Sequence, residues 1–205
     1  MTADASRYQL ARQESQDALR RSVLDTASEL LVAEGPQALT MRKLANALGC
    51  STTVLYTMFG AKDGIADALF REGFERLRRR LEAVPAEWTP LERLRGIGQA
   101  YRENALSERS YYGVMFEHAI PGYRPPPESL ALSRASLGVL TETVQECIAA
   151  GILRPADPLE VTEVLWAAVH GAVSLELAGR FPDTATAERR FSTLATAAVA
   201  AYRAG

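Results

Sequence analysis

Residues 35–62 of the chain read GPQALTMRKLANALGCSTTVLYTMFGAK. Thr40 can cap a first short helix, and Gly49 can end it, because glycine adopts the left-handed backbone conformation without steric cost. Ser51 can cap a second short helix, in which large apolar residues recur four positions apart. The stretch therefore predicts two short helices joined by a tight turn.

The charge of this stretch indicates what its surface contacts. No Asp or Glu occurs between Glu34 and Asp63, whereas Arg42, Lys43 and Lys62 do. A basic surface without carboxylates suits contact with a polyanion, and hydroxyls near a helix N-terminus can reach phosphates or base edges. Periodicity alone leaves two interpretations of the second helix open, a DNA-recognition helix or an ordinary solvated face.

The longer run LTMRKLANALGCSTTVLYTMFGAKDGIADAL, residues 39–69, resembles the DNA-binding domain of the TetR family of bacterial transcriptional regulators. The shared features are the Thr before the second helix, the Leu-Ala pair, the Leu-Gly turn, the Ser cap, the Leu-Tyr pair, and the Phe and Lys that follow. By motif the resemblance covers roughly residues 15–82. It implies DNA contacts from Thr40, Ser51, Thr52, Thr53, Tyr56, Thr57 and Lys62. We add Arg42 and Lys43 to these candidates because of their charge.

Two residues depart from the family pattern. Met58 stands where the family often has an aromatic residue or His, and Gly64 stands where it often has Glu. Neither position is expected to read bases. Because glycine is a poor helix former, we expect the first turn of the fourth helix to be less stable than usual.

Composition limits the class of protein. The chain has 205 residues, of which 47% are apolar, enough to bury one or two cores. A net charge of −2 lacks the strongly basic balance of a domain that coats nucleic acid without specificity. Two cysteines imply no disulfide framework, and the lack of a signal peptide or spanning apolar run predicts a cytoplasmic protein without membrane contact.

Four segments follow from these signals. Residues 1–14 are predicted to be a flexible arm, 15–60 a helix-turn-helix DNA-binding domain, and 61–82 a connecting fourth helix. Residues 83–205 are predicted to form a helical ligand-binding and dimerisation domain, since helix starts recur there without any alternating strand pattern. The predicted fold is all-α, with an N-terminal three-helix helix-turn-helix domain and about nine helices in total.

Two helix signals in the second domain are specific enough to check. Thr89-Pro90-Leu91-Glu92 matches a capping box with Pro at the first helical position. Helix seven is predicted to run without interruption from about Glu128 to Ala150.

The last two predicted helices carry features of a dimer interface. One helix carries a stripe of small residues and the other an apolar stripe, and both stripes could instead pack on the core of their own chain. The TetR resemblance implies a homodimer through a four-helix bundle, and two-fold dimers are the commonest assembly. The candidate interface residues are Ala167, Gly171, Ser174 and Ala178 in the last but one predicted helix, and Phe191, Leu194, Ala195, Ala198 and Tyr202 in the last predicted helix.

Trp166, His170 and Gly171 look like the Trp-His-Gly signature of C-terminal domains in one TetR subgroup. Aromatic and imidazole side chains can fix the orientation of a ligand in an apolar pocket. The alternative is that His170 is a core histidine bonded to the backbone. The candidate pocket residues are Tyr101, Tyr112, Met115, Phe116, His118, Trp166 and His170.

Other chemistry has little support in the sequence. The two histidines are far apart, no Cys/His cluster has ligand spacing, and no nucleophile motif occurs, so we expect no metal, no cofactor and no enzyme activity. The predicted function is a homodimeric DNA-binding regulator, most simply a repressor, whose operator binding is modulated by a small, mostly apolar effector. The alternatives are a ligand-independent helical DNA-binding or interaction protein, and a helical enzyme that uses the C-terminal cavity.

Overall fold

The computed structural model describes residues 3–204 and, before residue 12, only the side chain of Gln9. Over residues 3–204 it contains helices and one isolated bridge, which confirms the all-α prediction. The helices are α1 (Ala3–Glu34), a 3-10 turn (Pro36–Ala38), α2 (Met41–Leu48), α3 (Thr52–Phe59), α4 (Lys62–Glu82), α5 (Pro90–Ser107), α6 (Arg109–Phe116), α7 (Pro127–Ser136), α8 (Gly138–Ala149), α9 (Pro158–Leu177) and α10 (Thr184–Ala200).

The predicted helix-turn-helix is confirmed as α2 and α3. Thr40 caps α2, because its hydroxyl oxygen accepts a hydrogen bond from the Lys43 backbone N at 3.2 Å. Gly49 ends α2 in the left-handed conformation, with φ of 64°. The two helices pack against α1 through buried apolar side chains: Val23, Leu24, Ala27, Leu31, Leu44 and Leu55.

The first helix starts earlier than the sequence predicted. Its expected start was residue 15, after a polar arm, but α1 begins at Ala3. The predicted start was wrong because no Gly or Pro interrupts residues 3–14, and polar residues with helical propensity extend a helix without any packing signal.

The chain divides into two compact units whose bounds differ from the predicted segments. One comprises the residues up to Gly73 together with Ser110–Ser129, and the other comprises Phe74–Arg109 together with the chain from Leu130. The division therefore falls inside α4. Residues 110–129, which the sequence placed in the second domain, lie in the first unit.

Hydrogen bonds explain why residues 110–129 belong to the first unit. Asp67 of α4 accepts hydrogen bonds from the hydroxyls of Tyr123 at 2.9 Å and Ser129 at 2.7 Å. The Tyr111 hydroxyl donates to Asp25 of α1 at 3.0 Å. Burial, followed by the hydrogen bond to Asp67, raises the pKa of Tyr123 above its ordinary range, so this hydroxyl stays protonated as a donor.

The second unit is built on α5, α8, α9 and α10. The predicted capping box starts α5, since the Thr89 backbone N donates to Glu92 at 2.9 Å and the Glu92 backbone N donates to Thr89 at 3.4 Å. A buried bidentate ion pair joins α5 to α9, with Arg102 donating to both oxygens of Glu176 at 2.7 and 2.8 Å. The core of this unit includes Leu94, Ile97, Leu140, Val144, Val161, Leu165, Val173 and Phe191.

The predicted helix seven is interrupted, so that its sequence forms α7 and α8 with a break at Leu137. The hydroxyls of Ser133 and Ser136 donate to backbone carbonyls three residues earlier, at 2.8 and 2.7 Å. Such bonds compete with helical hydrogen bonding. Gly138, directly after the break, is a poor helix former and does not counteract this competition. The prediction of one uninterrupted helix was therefore wrong.

Gly64 allows α4 to start close to the end of α3. A Cβ atom at this position would lie 1.8 Å from the carbonyl oxygen of Phe59. We expect Gly64→Ala to lower the free energy of unfolding by about 1–3 kcal/mol, the usual cost of overpacking, although alanine is the better helix former. Urea denaturation of the purified protein measures this.

Gly138→Ala is the matched control, because a Cβ at Gly138 meets no atom within 4 Å. We expect it to be neutral or slightly stabilising, as glycine replacement in an unstrained helix usually is. Wild-type stability of Gly64→Ala would contradict the close approach of Gly64 to Phe59.

Candidate DNA-binding surface and ligand cavity

Helix α3 presents a polar face to solvent. Leu55 and Phe59 are buried in the first unit, whereas Tyr56 is 53% exposed. Thr53 and Thr57 are exposed beside it. The face consists of small hydroxyl side chains around one phenol, as the helical spacing predicts.

The hydroxyls on this surface differ in whether they already form hydrogen bonds within the chain. Ser51 occupies the N-cap position of α3 but makes no capping hydrogen bond with its side chain. The Thr57 hydroxyl donates to the Thr53 carbonyl oxygen at 2.9 Å, which leaves its oxygen as an acceptor. The Ser51 hydroxyl and the first backbone N–H groups of α3 are thus available to an anion.

The three cations of residues 35–62 are not equivalent. Lys43 forms an ion pair with Glu34 at the end of α1. Arg42 and Lys62 are exposed, and neither forms an ion pair among the described residues. A phosphate would therefore meet Arg42 and Lys62 without competition, whereas at Lys43 it would compete with the Glu34 carboxylate.

A cavity of about 490 Å³ lies within the second unit, a volume typical of small-molecule sites. Its floor is formed by buried apolar side chains of four helices: Leu94 and Ile97 of α5, Leu140 of α8, Leu165 of α9, and Leu77 and Leu81 of α4. Its rim is formed by exposed polar side chains, Arg95 and Gln99 of α5 and Ser192 and Thr196 of α10, with Arg203 beyond the end of α10.

Three of the predicted pocket residues lie together. Tyr101 and Trp166 line the cavity, and the Tyr101 hydroxyl lies 2.8 Å from Nδ1 of His170. The Trp166 and His170 rings are 5.2 Å apart. Burial lowers the pKa of His170 below its ordinary value, so the imidazole is neutral at pH 7. His170 thus holds a cavity-lining phenol by a side-chain hydrogen bond.

Four other predicted pocket residues are not on this cavity. Tyr112, Met115, Phe116 and His118 lie in the first compact unit, and none of them lines the cavity. The ring centroids of Tyr112 and Phe116 lie 4.9 Å apart in a tilted arrangement, and Met115 lies against Gly73 of α4. An aromatic run on a short helix shows that its side chains are buried, but it does not show against which core.

The sequence missed much of the cavity wall. The contributions of α4, α8 and α10, such as Leu77, Leu140 and Val199, carry only the ordinary apolar periodicity of core residues. Arg95 and Arg203 look like solvated charges in the sequence. No local signal distinguishes a residue beside a cavity from one beside a filled core.

The predicted dimer stripes divide between surface and core. Ala167 and Ala178 of α9 are exposed, Gly171 and Ser174 are partly exposed, and Leu194 of α10 is 42% exposed. Phe191 and Tyr202 are buried in the core of their own unit, and Ala195 lines the cavity, so these three do not form part of an open face. Val164 and Leu175, which the sequence did not single out, are large exposed apolar residues on the same helix as the small ones.

Among the described residues, no group of three or more His, Cys, Asp or Glu side chains could hold a metal ion. Over residues 3–204, no helix combines the length and apolarity needed to cross a membrane.

Known families match both parts of the chain. Residues 23–69 match the profile of bacterial regulatory proteins of the tetR family, and residues 94–202 match that of the Tetracyclin repressor-like C-terminal domain. The HTH-type transcriptional regulator Rv1816 of Mycobacterium tuberculosis is 22% identical over 201 residues, covering 83% of this chain and 85% of that protein.

Solved structures share the fold. A protein of unknown function from Rhodococcus sp. RHA1 has a TM-score of 0.78 and 28% identity, covering 90% of this chain and 95% of that one. The regulatory protein SCO4313 has a TM-score of 0.72 and 26% identity, covering 89% of this chain and 97% of that one.

The partly buried His170 makes the stability of the protein depend on pH. Because its pKa is lowered in the folded state, the unfolded chain binds more protons as the pH falls below about 6.5, the ordinary value. Linkage then requires the free energy of unfolding to decrease as the pH falls from about 7 to 5. We expect His170→Gln, which retains a partner for Tyr101, to flatten this dependence in urea denaturation series.

His118→Gln is the control, because His118 is the other histidine of the chain and lies in the other unit. A wild-type pH slope in His170→Gln, with a loss of slope in His118→Gln, would show that His170 is not the buried neutral group.

Proposed function

The chain belongs to the TetR family of bacterial regulatory proteins, and from this premise we propose that this DNA-binding transcriptional regulator is a homodimeric repressor controlled by a small ligand. The observation that carries the proposal is the cavity of about 490 Å³ in the second unit, with an apolar floor and a polar rim. The ligand occupies this cavity and weakens operator binding. A sealed core would instead favour a ligand-independent DNA-binding protein.

The DNA contacts come from α3 and the residues next to it. Tyr56 and Lys62 bind phosphates, and Thr52, Thr53 and Thr57 face the base edges of the major groove. The α3 face carries no Arg or Asn for the commonest bidentate base contacts. Sequence readout therefore depends on thymine methyl groups, bridging water and DNA shape.

Helix α4 is the proposed connection between ligand and DNA. Lys62 at its first turn belongs to the unit that carries α3, and Leu77 and Leu81 near its end line the cavity. A ligand shifts a conformational equilibrium only through its different affinities for the two states. The ligand-bound state is one in which contacts with Leu77 and Leu81 favour a position of α4 that does not suit the operator.

The dimer interface is formed by α9 and α10. The exposed stripe of Ala167, Gly171 and Ala178 permits close approach of a partner helix, and Val164 and Leu194 add apolar area. A two-fold dimer places two copies of α3 on successive major grooves, about 34 Å apart, of a partly palindromic operator.

Lys62→Ala and Tyr56→Ala test the DNA surface. We expect each variant to bind the promoter region of its own gene several-fold more weakly, and Lys62→Ala to reduce the salt slope by about 2 per dimer, because one phosphate contact is lost in each protomer. Fluorescence anisotropy over a range of salt concentrations measures both effects.

Lys43→Ala is the matched control, since this lysine already pairs with Glu34 and is expected to lose less affinity than Lys62→Ala. Wild-type affinity of both Tyr56→Ala and Lys62→Ala at physiological salt would show that this surface does not bind DNA.

Gly171→Leu tests the dimer surface. A Cβ at Gly171 meets no atom within 4 Å in the single chain, so the fold tolerates it, but a leucine would keep a partner helix from approaching closely. We expect a weakened dimer by analytical ultracentrifugation. Gly138→Leu, at an equally open glycine outside the stripe, should remain dimeric. Equal dimer stability in both variants would contradict the assignment of the α9 stripe.

A further inference from the structure

The polar part of the cavity lining carries charge of one sign only. Arg95 and Arg203 are its charged residues, and the lining contains no Asp or Glu. Gln99, Ser192 and Thr196 add neutral polar groups at the rim. The floor below is apolar. A ligand that matches this lining has an apolar body and a negatively charged end.

Several other arginines near these helices form ion pairs within the protein. Arg93 of α5 directly precedes the cavity-lining residue Leu94, and it pairs with Glu146 of α8 at 2.5 Å. Arg102 pairs with Glu176, and Arg76 pairs with Glu108 at 3.0 Å. These side chains are structural, and their charges are compensated.

Arg95 and Arg203 differ from them, since neither forms an ion pair among the described residues. The carboxylate closest in sequence to Arg95 is Glu92, which accepts hydrogen bonds from the backbone N and hydroxyl of Thr89 at 2.9 and 2.7 Å. These bonds are the main cause of the lowered pKa of Glu92, and the charge of Arg95 contributes least. Glu92 is thus held by the helix cap rather than by Arg95.

Arg203 is held in place although it lies near the end of the chain. Leu153 and Arg203 form an antiparallel bridge, in which Arg154 N donates to the Tyr202 oxygen at 2.8 Å and Ala204 N donates to the Ile152 oxygen at 3.2 Å. Terminal residues are usually poorly ordered unless such contacts hold them. The bridge therefore holds the backbone of Arg203, a residue that lines the cavity, in place.

From this arrangement we propose that the ligand is an amphipathic anion, whose apolar body fills the cavity and whose carboxylate or phosphate binds Arg95 and Arg203. Guanidinium groups suit both head groups, because they present paired N–H donors with a fixed charge. Ser192 and Thr196 supply further hydroxyl donors to the same head group. The inference rests on the proposed role of this cavity as the effector site.

Trp166 reports on the cavity directly. The chain has two tryptophans, so Trp88→Phe leaves Trp166, which lines the cavity, as the only indole. In this background we would titrate decanoate, decyl phosphate, 1-decanol and decyltrimethylammonium below their micelle concentrations and follow fluorescence. Binding to promoter DNA is measured in parallel with the same probes.

We expect the two anions to bind roughly tenfold more tightly than decanol, the effect of two exposed ion pairs together, and the cation to bind most weakly. The double variant Arg95→Gln/Arg203→Gln should bind the anions no better than decanol, with its affinity for decanol unchanged. The control Arg134→Gln/Arg180→Gln removes the same charge from exposed positions outside the lining and should keep the preference for anions. Unequal affinities for decanoate and decyl phosphate distinguish a carboxylate from a phosphate ligand.

Equal binding of decanol and the anions, or a preference for anions that survives in Arg95→Gln/Arg203→Gln, would overturn the inference. If decanol alone binds and releases DNA, the inference fails but ligand control of the repressor stands. If the anions bind preferentially without changing DNA affinity, the charge of the ligand is correct and the proposed control fails. If no probe changes Trp166 fluorescence while promoter binding is intact, both fail.

Discussion

Helix α4 contributes apolar side chains to the hydrophobic cores of both units along one continuous backbone. Its 21 residues bury Ile65 and Leu69 in the unit that carries the helix-turn-helix, and Leu77 and Leu81 on the cavity of the second unit. The glycine at its start and the Asp67 hydrogen bonds position the first half, while the cavity wall includes part of the second half. The two functions of the chain, DNA binding and the proposed ligand sensing, therefore share a structural element.

The second unit combines a buried ion pair with a cavity of about 490 Å³. The bidentate pair between Arg102 and Glu176 joins α5 to α9 where both helices border the cavity. Such a buried pair costs desolvation and favours one helix register over others. The neighbouring residue Tyr101 is held by His170. Consecutive residues of α5 thus carry out different tasks, with Arg102 in structure and Tyr101 in the cavity wall.

Charge is distributed in a similar way in both units. In the helix-turn-helix, Lys43 is paired within the chain, and Arg42 and Lys62 are not. In the second unit, Arg93 and Arg102 are paired, and Arg95 and Arg203 at the cavity are not. A charged group without an internal partner can form a new ion pair with a ligand without first breaking an existing one. Arg42 and Lys62 can therefore bind phosphates, and Arg95 and Arg203 can bind an anionic ligand, without first breaking an ion pair within the chain.

The sequence by itself determined the all-α class, the helix-turn-helix and the family, because caps such as Thr40 and Thr89 and breakers such as Gly49 act through hydrogen bonds within four residues. It also identified Tyr101, Trp166 and His170, which the structure brings together. Only the tertiary structure decided that Tyr112 and Met115 belong with the first unit, that Phe191 is a core residue, and that Arg203 reaches the cavity. The reason is physical: apolar periodicity states that a face is buried, but the partner of that face is chosen by contacts between residues far apart in the chain.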